Sequence, residues 1–286
     1  MTNEKKTDPR GTYEKFDLSD LEFQAACSQV QQWTRDLRDQ DDPRLNGSSV
    51  AIRVGARHFL VTAGHVISSS HELEIVRREG ENPVPHQFRN RFWDDSGKDV
   101  GALELSDEQV ATIRHFAPEE SIITALDQSK EWGVIVSGFP SERHVTDEYG
   151  GLVSLGASCY SLTLPADEWP SGLERLPVVG YDVFVRYPQS AVAYPNGLDV
   201  PRPREELERV KTPQPHGLSG CGIWLIHFCE KRKTKILFPS MKLIAVQTHY
   251  LPGIRLLRGV LIGHCLDLIR RTYPDIEAHF AGKRRT

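Results

Sequence analysis

At 286 residues the chain can bury one large core or two moderate ones. Hydrophobic residues make up 39% and charged residues 26%, which excludes a disordered or low-complexity chain and reads as soluble and globular. The formal charge of −4 excludes a global field that would recruit nucleic acid or an anionic membrane, and no apolar run approaches a membrane span.

The first 18 residues are polar and lack the apolar core of a secretory signal. Ser19-Asp20-Leu21-Glu22 fits a capping box, and Ala26, Val30, Trp33 and Leu37 then recur at helical spacing. The spacing predicts an amphipathic helix from Asp20 to Arg38, finished before Pro43, with its apolar stripe docked on the body of the protein. Beyond Pro43, Ser49 to Val54, a Gly55-Ala56 turn and His58 to Thr62 read as a β-hairpin. Glu72 to Val76 and Val100 to Leu105 are further short strands, and Ser106 with Gln109 caps a short helix running to about Phe116.

Later strand candidates are Gly133 to Ser137, Cys159 to Leu164, Val183 to Arg186, Ile223 to Ile226 and Leu243 to Thr248. Many short strands between turn residues predict an all-β barrel or sandwich, not alternating βαβ units. A proline-rich stretch from Tyr187 to His216 precedes Ser219, where it would form a wall or lid. Leu261, Cys265, Leu268 and Ile269 recur at helical spacing, giving a C-terminal helix that stops before Pro274. The basic Lys283-Arg284-Arg285 is expected to be a solvated tail.

Five cysteines (Cys27, Cys159, Cys221, Cys229, Cys265) form no metal-ligand spacing, so reduced thiols in a cytoplasmic protein are expected. No motif for a metal, nucleotide or organic cofactor is present, and none is expected.

Three segments carry candidate chemistry. His216-Gly217-Leu218-Ser219-Gly220-Cys221-Gly222-Ile223 packs glycines around one serine ahead of an apolar strand. Such a turn can bare a hydroxyl and its neighbouring amides, although an isolated one is more often a plain turn. Leu60-Val61-Thr62-Ala63-Gly64-His65 places a histidine just past an apolar strand. Lys98-Asp99-Val100-Gly101-Ala102-Leu103 places an aspartate at the mouth of another, a commonplace turn position when taken alone.

In chain order these segments supply His, Asp and Ser, and together they resemble the motifs of trypsin-like (chymotrypsin-fold) serine peptidases of the intracellular bacterial kind. Thr62-Ala63-Gly64-His65 resembles Thr-Ala-Ala/Gly-His, Asp99-Val100-Gly101-Ala102-Leu103 resembles Asp-x-Ala-x-Leu with one extra residue, and Gly217-Leu218-Ser219-Gly220 resembles Gly-Asp/Asn-Ser-Gly. The resemblance spans about Asn46 to Arg271. It implies two packed six-stranded antiparallel β-barrels, flanked by an N-terminal and a C-terminal helix. Residues 1–45 would be an extension, 46–130 a barrel carrying His65 and Asp99, and 131–286 a barrel carrying Ser219.

The resemblance implies an endopeptidase in which Ser219 attacks, His65 moves the proton and Asp99 orients His65, with Asp94 or Asp95 the fallback. The N–H groups of Gly217 and Ser219 would hold the oxyanion. Thr248, near Asp99, would edge the substrate cleft with His216, His249 and Tyr250. Expected partners are a protein or peptide substrate and, second, a regulatory protein that orders the loops.

The departures from the family are informative. Leu218 replaces the aspartate that digestive relatives use in clip activation, and Cys221 replaces a glycine. Pro213, six before Ser219, gives no acidic pocket floor for Arg or Lys. An α/β-hydrolase would need a glycine where Cys221 stands and a histidine after the serine in a βα-alternating chain. A peptidase using Cys221 lacks a matching motif, so Cys221 is expected to be a packed residue. The rival of another class is a trypsin-like binding or scaffolding module without activity.

Overall fold

The computed structural model describes residues 20–41, 46–70, 72–76, 84, 87–94, 96–146, 152–154, 156–187, 190–193, 209–211, 214–230 and 237–276. The capping-box serine, Pro213 and most of the proline-rich stretch lie outside these residues.

The described residues begin with α1 (Asp20–Trp33), then run through β1 (Thr34–Asp39), β2 (Asn46–Val54), β3 (Arg57–Ala63), α2 (Gly64–Ser68) and β4 (Leu73–Val76). Strands β5 (Asn90–Trp93) and β6 (Val100–Glu104) and helix α3 (Asp107–Ile113) follow. The second half contains β7 (Gly133–Gly138), β8 (His144–Thr146), β9 (Leu152–Ser154), β10 (Ala157–Leu162), β11 (Asp182–Arg186), β12 (Ser190–Ala193) and β13 (Arg209–Lys211). It closes with β14 (Gly222–Glu230), β15 (Leu237–Leu251), β16 (Leu256–Leu261) and α4 (Ile262–Thr272).

The first sheet has the order β4-β1-β2-β3-β6-β5 and is antiparallel throughout. The expected helix to Arg38 stops at Trp33, and residues 34–39 enter this sheet instead. Strand β1 pairs with β2 and β4 at once, with Leu37 opposite Gly47 and Ile75. A continued helix would have left both of those strands with an unpaired edge, so two ladders of backbone bonds outweigh helical spacing here. The first β unit therefore starts at Thr34, well before residue 46. The Ser106 capping box forms as expected, with Gln109 reciprocating, and α3 ends at Ile113.

The second sheet has the order β11-β16-β15-β14-β7-β10-β12-β13. Its first six strands close on themselves through a bridge between Thr163 and Val185, making a barrel to which the β12–β13 hairpin is appended. Strand β16 was hidden in the sequence. Arg258 and Gly259 interrupt its apolar run, although all six residues are buried, and its last residue, Leu261, joins the helical periodicity of α4.

Alternation along the strands builds three packed regions. Ala51, Leu60, Leu103 and Leu37 fill the first unit. Val134, Val136, Val183, Val185, Ile223 and Leu257 fill the second. The intervening residues Val50, Ile52, Phe59, Val61, Val100 and Ala102 face outward to meet Ile135, Trp224, Leu243 and Val246 from the second unit. Helices α1 and α4 seal this interface through Val30, Trp33, Cys265 and Ile269, with the rings of Trp33 and Trp224 in tilted contact, centroids 5.2 Å apart.

Candidate active site

His65 is the second residue of α2, immediately after β3. Ala63 pairs with Val100, which brings the start of α2 against the residue before β6. Gly64 permits this approach, because a Cβ there would lie 3.1 Å from Val100 N and 3.2 Å from Asp99 C. Asp99 sits in the left-handed region at φ 50, a conformation aspartate tolerates better than most residues. Its Oδ1 accepts from the His65 backbone N–H at 2.8 Å, and both carboxylate oxygens lie 3.0 Å from His65 Nδ1. An Nδ1–H donated to Asp99 leaves Nε2 as an acceptor. The His65 side chain is 45% exposed and that of Asp99 16%.

Asp94 is occupied elsewhere. Burial works to raise its carboxyl, but hydrogen bonds from Ser96 and Arg271 outweigh that and hold it at about 2. Asp95 lies outside the described residues.

The serine turn is clamped between the two units. Ser48 N–H donates to Ser219 O at 2.7 Å, and Ser48 Oγ donates to Gly217 O at 2.8 Å. The same Oγ accepts from Phe139 N–H, while Ser48 O accepts from Thr62 Oγ1, each at 2.8 Å. Gly220 N–H donates to Gln247 O at 2.7 Å, and Gln247 N–H to Cys221 O at 2.9 Å. Gly220 has φ 90, and a Cβ there would fall 2.0 Å from Ser48 O and Thr62 Oγ1.

The amides along this turn divide cleanly. Leu218, Gly220 and Cys221 each donate within the protein. Among the described residues, the N–H groups of Gly217 and Ser219 have no protein acceptor. These are the two amides that would hold an oxyanion. Leu218 and Cys221 are packed into the second unit, and burial pushes the Cys221 thiol well above its usual range, so it is no nucleophile.

One cleft of about 1040 Å³ is lined by His65, Asp99, Gly217 and Ser219 together with His216, Thr248, His249 and Tyr250. Thr248 Oγ1 is buried and lies 3.4 Å from Arg258 O. His249 turns its ring toward the Asp99 carboxylate, with Nδ1 3.7 Å from Oδ2. Among the described residues, no hydrogen bond joins Ser219 Oγ to His65.

Two supports went unseen in the sequence. Ser48 is a small polar residue in an apolar strand, with nothing to mark it. Asp182 is fully buried and accepts from Arg258 Nε and Nη2 at 2.8 Å each, from Arg175 Nη2 at 2.6 Å and from Val178 N–H at 2.8 Å. Arg175 also donates to Gly97 O at 3.1 Å, and the Tyr181 hydroxyl donates to Lys98 O. The second unit thus grips the segment that leads into Asp99.

No family model matches the chain, and no curated protein sequence matches it. Solved structures do. A crystal structure of an inactivated protease paralogue of the scabies mite matches 86% of this chain and 96% of that chain, at 15% identity and a TM-score of 0.48. The serine protease domain of the Sesbania mosaic virus polyprotein matches 81% and 88%, at 11% identity and a TM-score of 0.43. A Glu endopeptidase matches 84% and 90%, at 8% identity and a TM-score of 0.45. By its own strand pairing, with His65 and Asp99 on the first β unit and Ser219 on the second, the chain has a chymotrypsin-like double β-barrel fold.

Proposed function

We propose that this protein is a serine endopeptidase that hydrolyses peptide bonds of protein substrates through Ser219, His65 and Asp99. The observation that carries the reading is the serine turn, where, among the described residues, the N–H groups of Gly217 and Ser219 have no protein acceptor and border a cleft that also holds the His65–Asp99 pair. Both donors therefore stay available to an acceptor that enters the cleft.

The chemistry follows from the placement. Ser219 Oγ adds to the scissile carbonyl carbon while its proton passes to His65 Nε2. The carbonyl oxygen becomes an anion held by the Gly217 and Ser219 N–H groups, and the loss of one such donor costs about 10²–10³ in turnover. Asp99 stabilises the imidazolium across the Nδ1 contact. The intermediate collapses when His65 returns the proton to the leaving amine, which breaks the C–N bond and leaves an ester on Ser219. Water, deprotonated by His65, then releases the acid and restores the serine. The buried, unbridged thiols of Cys159, Cys221 and Cys265 fit a reducing compartment, which we take to be the cytoplasm.

Digestion of a denatured proteome tests the proposal. New peptide termini are expected with the wild type and none with Ser219→Ala. The lack of a Ser219–His65 hydrogen bond favours a second reading, a binding module of the same fold without turnover. Catalytic hydrogen bonds are often long before substrate arrives, so the digest rather than the resting geometry separates the two. Identical peptide patterns from wild type and Ser219→Ala would establish the binding module.

A further inference from the structure

Asp99 faces two imidazoles, and the triad uses only one. The ring of His249, on β15, lies 6.1 Å from the ring of His65, centroid to centroid, and its Nδ1 is 3.7 Å from Asp99 Oδ2. We propose that His249 is a positioning residue that shares Asp99 with His65, and that its protonation is a second acid switch on the site. The proposal rests on the reading of His65 and Asp99 as a base and its orienting carboxylate.

His249 Nδ1 faces two oxygens, Thr248 Oγ1 at 3.0 Å and Asp99 Oδ2 at 3.7 Å. A carboxylate oxygen only accepts, whereas the Thr248 hydroxyl can turn its hydrogen toward Arg258 O, 3.4 Å away, and accept as well. The neutral tautomer that suits both oxygens is the one with the proton on Nδ1. At 3.7 Å the contact with Asp99 is too long for a hydrogen bond but short enough for the N–H dipole to act on the carboxylate. Asp99 Oδ1 is already committed to His65 N and Nδ1, whereas Oδ2 has room for this second donor.

The groups around His249 decide when it is charged. The His249 side chain is 54% exposed, so it is partial desolvation in the cleft that lowers its protonation from the usual imidazole range; Asp99 opposes that, and His65 on α2, Arg258 on β16 and Arg175 before β11 reinforce it. Both arginines are engaged by Asp182, and Glu174 and His216 line the same cleft. His249 is thus neutral when the site works and takes a proton on acidification. Once charged, it competes with His65 for Asp99 and repels the imidazolium that His65 must become in the transition state. Two unit charges at this separation in a partly wet cleft disfavour that step roughly tenfold to a hundredfold. Protonation of either imidazole would then stop turnover, each for its own reason.

The experiment follows the imidazole signals of the full chain, labelled with nitrogen-15, by NMR during an acid titration, alongside the pH dependence of kcat on a peptide taken from the proteome digest. His65 signals are expected to record two events in the wild type, their own protonation and that of His249. In His249→Gln and His249→Phe only one should remain, and the acid limb of kcat should become shallower, from a loss on two protonations to a loss on one. The His65 signals also report that each variant is folded. If they titrate identically in wild type and both His249 variants but are displaced by Asp99→Asn, the shared carboxylate is refuted and the triad reading stands. If Asp99→Asn leaves them unmoved, both fall. If the coupling is present without any turnover, the peptidase reading falls and the shared carboxylate stands.

Discussion

Two aspartates at the mouths of two apolar strands, Asp99 before β6 and Asp182 opening β11, show how environment divides like residues between tasks. Their local sequences, Asp99-Val100 and Asp182-Val183, are alike. Asp182 is wholly buried and meets two permanent cations, Arg175 and Arg258, with every contact satisfied. A buried carboxylate so paired is a fixed anchor, because losing either sign leaves an uncompensated charge in the interior. Asp99 stays partly exposed and meets imidazoles, whose charge can change during a reaction. Arg175 links the two, since it holds Asp182 with one nitrogen and the Gly97 carbonyl with another. One carboxylate thus secures the backbone that presents the other.

The comparison breaks most visibly at Asp99. Asp99→Asn is expected to lower turnover about 10⁴-fold, the scale seen when a triad aspartate becomes asparagine, with little change in the urea midpoint. Near-normal turnover would remove Asp99 from the site. Asp182→Ala should behave in the opposite way, costing about 3–5 kcal/mol of unfolding free energy by urea denaturation, because two guanidiniums lose their partner. A variant as stable as the wild type would contradict its role as anchor.

Arg175→Met cuts the link while Arg258 still covers Asp182. Loss of its charged hydrogen bonds should cost about 1.5–3 kcal/mol, and the loosened 97–99 segment should lower kcat more than it raises KM. A change confined to KM would instead make Arg175 a substrate contact.

The smallest effect is on stability against pH. Partial desolvation lowers His58, His227 and His249, with Arg53 assisting at His58 and Lys242 at His227. The unfolded chain therefore binds more protons than the folded one, so stability falls as pH drops through and below about 6.5. Asp94, held at about 2, adds a later loss as its carboxyl protonates on further acidification. Urea midpoints across an acid series should decline in that order, and a flat profile through the imidazole range would contradict the partial desolvation of these rings.

The parts of this molecule that sequence exposes are those set by short-range patterns. Short apolar runs between turn residues marked β2, β3, β6 and β7, and the small residues around His65 and Ser219 marked the two segments that face each other. What stayed hidden depends on partners far along the chain. Leu37 fits a helix until β2 and β4 are seen on either side of it. Ser48 becomes a clamp only when Gly217, 169 residues away, is folded against it. His249 was placed in the cleft, but its approach to Asp99 depends on the bulge in β15 between Gln247 and His249, which no residue type announces. Asp182 carries the same signal as Asp99, and only the three-dimensional arrival of Arg175 and Arg258 tells them apart.

The central claim is that Ser219 is a nucleophile activated in this cleft, and a fluorophosphonate probe reads it most directly. The wild type should acquire one covalent adduct, mapped to Ser219 by peptide mass, with labelling lost in Ser219→Ala and strongly slowed in Asp99→Asn. A folded wild type that takes up no adduct, or takes it up at a residue other than Ser219, would contradict the account.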